Sequence, residues 1–270
     1  MPDWTPVNLG SQLYAWFNAG AITGVSNGAD LSTWSDSSGN SRDLTGVAGN
    51  LPSYASSNLN SLPAVVFDGT EGMHGPTDTV DPFDFPTTNF AVTAVAKTDG
   101  DATVLGVVLQ NNSQTDGYSL YRAEVGGAFN FSVALAGSSN CGLFTGTATN
   151  GLLYGFERIG NTAKGYFDGR NTIGTTPDTE VAAGTPLQVG YAGTASSITA
   201  NNGFKGSISE IVFHTQNDTN QRHKVEGYLA HKYGLEAGLP PDHPYLSNQP
   251  TVKSRLVGLS GGLNSQGDLI

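Results

Sequence analysis

The chain has 270 residues, which suits one large all-β domain or two small domains. It carries 23 acidic against 12 basic residues, a formal net charge of −11, and a surface of this sign repels nucleic acid. The single cysteine, Cys141, excludes an intramolecular disulfide and argues against a cysteine-based metal site. With 36 glycines, 13 prolines and recurring short apolar runs, the composition predicts many short strands joined by tight turns.

The first residues have neither a basic start nor a long apolar run, so the sequence predicts no signal peptide and no membrane insertion.

The first strand candidate is LYAWFNAG, Leu13 to Gly20, in which apolar residues alternate with Tyr14 and Trp16. Such a run is typical of a strand that is buried on both faces. We expect it to pair with the C-terminal part of the domain.

A polar turn follows Trp34 in the run TWSDSSGN. Gly39 and Asn40 tolerate a positive φ, and the Asp36 carboxylate can accept backbone amides two residues further on. Four side chains here have the oxygen density of a calcium loop: Asp36, Ser38, Asn40 and Asp43. The spacing and the closing glutamate of an EF-hand are absent, so a self-bonded structural turn is the favoured interpretation and a calcium site is the alternative.

Two further runs contain the dipeptide Asp-Gly, which favours a tight hairpin. LPAVVFDG ends in Asp68 and Gly69, and GYFDGRNT contains Asp168 and Gly169. Turn chemistry accounts for both aspartates better than a catalytic role does. Strand candidates with the rhythm of an antiparallel sandwich lie between these runs: Phe90 to Ala96, Val104 to Leu109, Tyr118 to Ala123, Phe129 to Leu135 and Leu152 to Ile159.

The run Gly203 to Leu235 joins an extended segment to the one convincing helix of the sequence. Period-two alternation places Ile208 and Val212 on one side of the strand and apolar residues on the other side too. Glu210 lies among them, where an ionised carboxylate needs a partner. We expect it to pair with a lysine or arginine or to be exposed, in preference to acting as an acid catalyst.

The helix that follows has one apolar stripe, formed by Val225, Tyr228, Leu229 and Tyr233. Gly234 supplies a left-handed stop. A helix this short is marginal alone in water, so it must lay its stripe against a sheet. Core packing therefore explains the two tyrosines better than ligand contact does.

Four of these segments resemble the concanavalin A-like, laminin-G-like jelly-roll family: LYAWFNA, TWSDSSGN, LPAVVFDG, and the closing strand with its helix. The resemblance implies an all-β fold, an antiparallel β-sandwich in which Trp34 and both Asp-Gly turns are structural. It also implies a setting in bacterial extracellular or bacteriophage proteins.

We expect one domain over residues 1–246 and a tail over residues 247–270. Apolar residues punctuate this tail, and we expect it to dock on a neighbouring subunit.

The sequence has no catalytic pattern of a known kind. Retaining glycosidases hold two carboxylates about 5 Å apart, which on one strand face requires a pattern such as E-x-D-x-E. The sequence lacks that pattern, a G-x-S-x-G elbow, an H-E-x-x-H pair and a phosphate loop. We therefore expect a protein that is not an enzyme and that needs no cofactor, with calcium as the alternative left open above.

Binding is the remaining class of function. Sugar sites use aromatic platforms flanked by polar groups, which makes Asp116, Tyr118 and Tyr121 a candidate carbohydrate site, although half-buried sheet tyrosines are the more usual explanation of this pattern. The first hypothesis is a bacteriophage virion component, such as a decoration, spike or fibre subunit, assembled in the host cytoplasm. Its partners would be other virion proteins, further copies of itself, or glycans. The alternative is a soluble carbohydrate-binding module, with or without calcium.

Overall fold

The computed structural model describes residues 3–77, 82–85, 89–99, 105–111, 117–125, 128–135, 138–145, 151–160, 162–171, 176–177, 186–194, 197–198, 203–215 and 219–252. The strands in these ranges are β1 Leu13–Asn18, β2 Thr33–Trp34, β3 Leu44–Gly46, β4 Ser53–Leu59, β5 Leu62–Asp68, β6 Met73–His74, β7 Phe90–Thr98, β8 Leu105–Asn111, β9 Tyr118–Val125, β10 Ala128–Leu135, β11 Ser138–Thr145, β12 Leu152–Ile159, β13 Thr162–Phe167, β14 Arg170–Asn171, β15 Thr176–Pro177, β16 Gln188–Val189, β17 Gly193–Thr194, β18 Ser197–Ile198 and β19 Lys205–Thr215. The helices are α1 Thr219–Tyr233 and the 3₁₀ helices Pro6–Gln12, Ala19–Ala21 and Glu236–Gly238.

Two antiparallel sheets contain most of these strands. Within the described residues, the larger sheet has nine strands in the order β14-β13-β12-β7-β19-β5-β4, with β1 beside β19 and β15 beside β13. The smaller sheet has eight, in the order β11-β10-β9-β8-β16-β6-β3-β2. The pairs are antiparallel throughout, and one α-helix follows the last strand. The predicted fold class, an all-β sandwich with a late helix, is therefore confirmed.

Strand β19 is the central strand of the larger sheet. One of its edges pairs with β7, and its other edge pairs first with β5 and then with β1, as expected for the first strand. A β-bulge interrupts the pairing with β7 between Ile208 and Glu210. Because a bulge adds one residue, Ile208 shares the inter-sheet core with Ile211, whereas Val212 packs on the opposite face. The prediction that Ile208 and Val212 lie on one side is wrong for this reason.

The core between the sheets is rich in aromatic rings that both sheets contribute. Trp34 of the smaller sheet is fully buried, with its ring centroid 6.0 Å from that of Phe17 in the larger sheet. Tyr118 of the smaller sheet lies 5.3 Å from both Phe90 and Phe156 of the larger sheet. These aromatic contacts join the two layers, and Trp34 takes part in them.

A second apolar cluster lies on the outer face of the larger sheet, beneath α1. It combines residues of three strands with the helical stripe: Val95, Leu153, Val212, Val225, Leu229 and Tyr233. Tyr228 is only half-buried, at the margin of the stripe, with its ring edge-on to Trp4 at 6.1 Å. Gly234 has φ +64°, and the Leu235 amide donates to the Ala230 carbonyl at 2.8 Å, which ends the helix in a Schellman motif.

Glu210 projects from β19 beneath this helix and has no exposure to solvent. Its carboxylate accepts hydrogen bonds from Trp16 Nε1 at 2.5 Å and from the Tyr233 hydroxyl at 2.9 Å. Lys232 Nζ lies 2.5 Å from Oε2 and supplies the opposite charge. The predicted pairing of Glu210 with a lysine is confirmed, and three donors saturate a carboxylate that would otherwise be costly to bury.

Two parts of the sequence prediction need correction or completion. Among the longer strands, β4 and β11 were not predicted. Asp68 and Gly69 form a turn, with the Thr70 amide donating to Asp68 Oδ1 at 2.8 Å, but the turn makes no hairpin. The chain passes from β5 of the larger sheet to β6 of the smaller one, so the tight hairpin predicted at this point is wrong. Asp168 and Gly169, both with positive φ, do form the predicted tight turn, between β13 and β14.

The described part of the predicted tail packs against the N-terminal segment. The Trp4 amide donates to the Pro250 carbonyl at 3.0 Å, and Asp3 forms an isolated bridge with Thr251. Residues 253–270 lie outside the described ranges, so the domain boundary and the docking of the tail stay predictions. Among the described helices, none has the length and apolar character needed to cross a membrane.

We predict that Lys232→Met lowers the free energy of unfolding by about 3 kcal/mol, because the buried Glu210 carboxylate then lacks its counter-charge. Urea denaturation measures this loss. The double variant Glu210→Gln, Lys232→Met is the control, and it should regain most of the stability because no charge remains buried. Equal urea midpoints for the single and double variants would contradict the electrostatic explanation.

Candidate functional site

The predicted carbohydrate site is not present as a surface in the structure. Tyr118 is fully buried in the inter-sheet core and its hydroxyl donates to the Phe83 carbonyl at 3.0 Å. Tyr121 is 6% exposed. Neither ring offers a face on which a sugar could stack, so the assignment of these two tyrosines is corrected. Asp116 lies outside the described residues.

The predicted polar turn after Trp34 is built as a self-bonded structure. Asp36 Oδ1 accepts the amides of Trp16 and Ser38, both at 2.9 Å, and Asp36 Oδ2 accepts the Ser38 hydroxyl at 2.7 Å and the Arg42 amide at 3.1 Å. Four donors therefore fill the carboxylate. This pattern is the one expected of the structural turn, the interpretation favoured from the sequence.

The other candidate calcium ligands in this turn also serve the fold. Asp43 Oδ1 accepts the Asp36 amide at 2.8 Å, and Ser38 Oγ accepts the Asn40 amide at 3.2 Å. Asn40 Nδ2 donates to the carbonyls of Leu13 and Tyr14, both at 3.0 Å. The turn thereby fastens the loop to the first strand, and the structure brings the four predicted residues together in this role.

A pocket of about 510 Å³ lies where several strands of the larger sheet and the helix α1 end, and we call it the strand-end pocket. Its lining residues are Asn58, Leu59, Asn60, Lys97, Gly151, Asp168, Gly234, Leu235, Ala237 and Gly238. They come from five separate parts of the chain. The pocket therefore exists only in the folded protein, and sequence spacing gives no sign of it.

Local backbone chemistry places the polar side chains of this pocket. Asn60 and Ser61 form the two-residue turn between β4 and β5, with φ of +49° and +63°. Asparagine tolerates this left-handed conformation, and its Nδ2 donates to the Tyr233 carbonyl at the end of α1. Asp168 occupies the first position of the tight turn between β13 and β14, and two hydrogen bonds join it to Leu153. The Asp168 amide donates to the Leu153 carbonyl, and the Leu153 amide donates to Asp168 Oδ1, both at 2.9 Å.

Each polar side chain of the strand-end pocket leaves one hydrogen-bonding atom uncommitted. Asn58 uses Oδ1 to accept the Ser207 hydroxyl, which leaves Nδ2; Asn60 uses Nδ2, which leaves Oδ1; Asp168 uses Oδ1, which leaves Oδ2. No hydrogen bond within the described part of the chain engages these three atoms or Lys97 Nζ. The pocket therefore offers two donors and two acceptors beside the apolar side chain of Leu235.

Asp168 is the one carboxyl among the described residues that line this pocket, and burial raises its pKa from 3.8 to about 6. The Leu153 amide and the charge of Arg170 act in the opposite direction and Glu226 adds to the increase, but loss of solvent is the largest cause. At neutral pH the group is ionised at a free-energy cost. A hydrogen-bond donor from a ligand would lower that cost.

The first half of α1 covers a second polar group, which we call the Arg222 network. Arg222 Nε donates to Glu157 Oε2 at 3.1 Å, and Arg222 Nη1 donates to Glu226 Oε1 at 2.5 Å. Tyr166 donates its hydroxyl to Glu157 Oε1 at 2.5 Å, and its ring lies 3.6 Å beneath the guanidinium. His243 Nε2 lies 3.2 Å from Glu226 Oε2. All five side chains are buried.

Electrostatics keep Arg222 and Glu226 of this network in their charged forms. Burial alone would raise the pKa of Glu226, but Arg222 and His243 outweigh it and the pKa lies below the ordinary value. Arg222 and Glu226 lie outside the apolar stripe predicted for the helix, yet both are buried. The sequence signal that could have found them is the i, i+4 spacing of opposite charges.

Neither a protein-family model nor a curated protein sequence matches this chain, whereas solved structures do. Domain 4 of AbnA, a GH43 extracellular arabinanase from Geobacillus stearothermophilus in complex with arabinotriose, is 16% identical with a TM-score of 0.51, over 78% of this chain and 96% of that one. A Trypanosoma rangeli sialidase in complex with sialic acid is 13% identical with a TM-score of 0.51, over 82% and 33%. The binding domain of botulinum neurotoxin DC in complex with SialylT is 8% identical with a TM-score of 0.52, over 82% and 52%.

Identity this low shows a shared fold alone, and this chain spans only part of the sialidase and neurotoxin chains. At the level of fold, the similarity agrees with the predicted lectin-like β-sandwich. The bacteriophage setting that the sequence resemblance implied gains no support from these three structures.

The prediction that the chain is not an enzyme is corrected by the same comparison. This fold occurs in domain 4 of an arabinanase and in parts of a sialidase and of a GH54 α-L-arabinofuranosidase, the last 14% identical with a TM-score of 0.50. The prediction depended on a missing pattern of alternating acids on one strand. Folding can bring together carboxylates that are distant in sequence, so a missing local pattern does not exclude catalysis.

We predict that Asp168→Asn raises the free energy of unfolding at pH 7 by about 2 kcal/mol, because asparagine keeps the acceptor for Leu153 and carries no charge. A carboxyl whose pKa is higher in the folded state stabilises the fold while it is protonated. That contribution is complete below pH 3.8 and is lost as pH rises through about 6. The advantage of the variant should therefore shrink between pH 7 and pH 4.

Urea denaturation at both pH values measures the effect. The exposed Asp242 is the matched control, because Asp242→Asn should leave stability almost unchanged. An advantage of equal size at pH 4 and pH 7 for Asp168→Asn would show that charge burial is not its cause.

Proposed function

We propose that this chain binds a neutral glycan in the strand-end pocket. The observation that carries the proposal is the set of four uncommitted polar atoms, Asn58 Nδ2, Asn60 Oδ1, Lys97 Nζ and Asp168 Oδ2, around one concave site. A sugar hydroxyl donates one hydrogen bond and accepts others, so adjacent hydroxyls match a lining that mixes donors with acceptors.

The charge of the pocket favours a neutral ligand over an anionic one. Lys97 and Asp168 offset each other within the lining, and the whole chain has a formal net charge of −11. An acidic glycan would meet this negative field and the Asp168 carboxylate. A neutral glycan meets neither penalty, and its hydroxyl can donate to Asp168 Oδ2.

The residues that line the pocket favour recognition of a sugar by hydrogen bonds over stacking on an aromatic ring. The ten lining residues that the structure describes include no aromatic ring, and Leu59, Leu235 and Ala237 supply the apolar contacts. The compared structures agree with a glycan ligand at the level of fold class, since the AbnA domain was solved with arabinotriose and the neurotoxin domain with SialylT. They say nothing about which residues of this chain would make the contact.

We predict that a glycan array identifies a neutral oligosaccharide ligand and that Asp168→Asn weakens its binding about 10- to 100-fold, measured by calorimetry. The substitution replaces the acceptor Oδ2 with a donor, and a hydrogen bond to a charged group contributes about 1.5–3 kcal/mol. Lys97→Met should weaken binding by a similar factor, because it removes a charged donor from the lining.

The design separates lost binding from lost folding. Asp168→Asn is expected to be more stable than the unaltered protein at pH 7, so a loss of affinity in this variant is not a loss of structure. Asp242→Asn is the control and should bind normally. Glycan binding that survives both pocket variants would place the site elsewhere, and failure of every neutral glycan at millimolar concentration would refute the proposal.

The narrower hypothesis of a virion component depends on the sequence resemblance alone. A lectin-like domain on a particle would use the same pocket, so the proposed glycan binding is compatible with it. Finding the chain in purified particles by mass spectrometry would support a virion role. Finding it only outside particles would favour the alternative hypothesis, a soluble carbohydrate-binding module.

A further inference from the structure

Two histidines that are distant in sequence meet one glutamate beside the Arg222 network. His223 and Glu226 lie three residues apart on α1, and His243 comes from the segment that follows the helix. One potential ligand atom of each residue lies within 4.8 Å of the others. The rings of His223 and His243 are 5.1 Å apart at an angle of 70°. Two imidazoles and a carboxylate are a donor set typical of zinc sites.

Arg222 orients two of these groups from outside the cluster. Its Nη1 binds Glu226 Oε1, which leaves Glu226 Oε2 directed at His243. Its Nη2 lies 3.0 Å from His223 Nε2. Because a guanidinium can only donate, this nitrogen of His223 carries a lone pair, which accepts the Arg222 hydrogen bond when no ion is bound. Arg222 therefore positions the Glu226 carboxylate oxygen, but an ion at His223 Nε2 has to replace the contact with Arg222 Nη2, which is a structural cost of binding.

The local charge also favours a cation. Glu157 and Glu226 contribute two negative charges and Arg222 one positive charge, so the buried group has an excess of one negative charge when both histidines are neutral. All three of these residues are at most 4% exposed. A divalent ion would change this excess to one positive charge, with the Glu226 carboxylate directly bound to the ion.

Binding has a structural cost at His243. The Tyr245 amide donates to His243 Nδ1 at 3.2 Å, so without an ion the proton of this ring is on Nε2 and is directed at Glu226. An ion at Nε2 moves that proton to Nδ1 and breaks the bond to Tyr245. Pro244 is exposed and Tyr245 is half-exposed, so this short segment can move without opening the core.

We propose that His223 Nε2, Glu226 Oε2 and His243 Nε2 bind one divalent transition-metal ion of the zinc class. The ion would tie α1 to the segment after it, where the double proline at Pro240 and Pro241 ends any helical continuation. This site is separate from the strand-end pocket, and the proposal does not depend on glycan binding.

The test titrates the full chain, stripped of metal by a chelator, with zinc chloride in a calorimeter. We expect one equivalent to bind, together with a rise in thermal stability. His223→Gln and His243→Gln should each weaken binding about 100-fold, since each removes one of three protein ligands. His74→Gln is the matched control and should bind as the unaltered protein does, because His74 lies on β6 of the smaller sheet.

A spectroscopic measurement on the unaltered protein decides the case if either variant fails to fold. X-ray absorption at the zinc edge should show two imidazoles and only nitrogen or oxygen ligands. A sulfur ligand would place the ion on Cys141 and overturn the proposal. The absence of stoichiometric binding, or binding that persists in both folded histidine variants, would also overturn it and leave the cluster as part of the ion-pair network.

Discussion

Two buried carboxylates on the outer face of the larger sheet determine how the rest of the chain is arranged. Glu157 on β12 is 2% exposed and Glu210 on β19 is fully buried. A buried charge requires an opposite charge at hydrogen-bonding distance. Helix α1 supplies one cation to each of them, Arg222 from its first turn and Lys232 from its last. Apolar packing holds the helix on the sheet, and these two ion pairs fix its direction and register.

The strand-end pocket is a consequence of that register. Lys232 precedes the last helical residue by one position, so pairing it with Glu210 determines where α1 ends. The carbonyl of Tyr233 then meets Asn60 at the tip of the β4–β5 turn, and the residues after Gly234 lie beside the Asp168 turn. The lining of the pocket thus depends on an ion pair that does not contact it. A change in helix register would separate its walls while leaving the sandwich intact.

The predictions from sequence succeeded where one local pattern decides the structure. The helix, its glycine stop and the Asp168 turn each follow from a few adjacent residues. No local sequence pattern indicates the bulge between Ile208 and Glu210. An extra residue in a strand changes the side of the sheet on which the following side chains lie, but it does not change the composition of the strand. Strand β4 was missed for a related reason: it contains three serines, and its turn uses Asn60 and Ser61 without a glycine.

The candidate sites could not be predicted because each combines residues from distant parts of the chain. His223 and His243 are twenty positions apart, and no metal-ligand spacing connects them in sequence. Asp168 was correctly assigned to a turn. That assignment gave no sign that its second carboxylate oxygen, Oδ2, is free to bind a ligand in the strand-end pocket. One residue can serve both a turn and a binding site. The backbone of Asp168 forms the turn, and the free oxygen of its side chain remains available for a ligand.

The carboxylate of Asp168 is the strongest indication that the strand-end pocket serves a ligand. The turn requires a residue that accepts a left-handed φ and an oxygen that accepts the Leu153 amide, and asparagine meets both needs without a charge. The carboxylate instead loses solvent and has a raised pKa. A side chain that opposes stability and that the fold does not need is typical of a binding site, where the missing hydrogen bonds come from the ligand. The fold explains every other hydrogen bond at this turn, and it leaves Oδ2 unexplained.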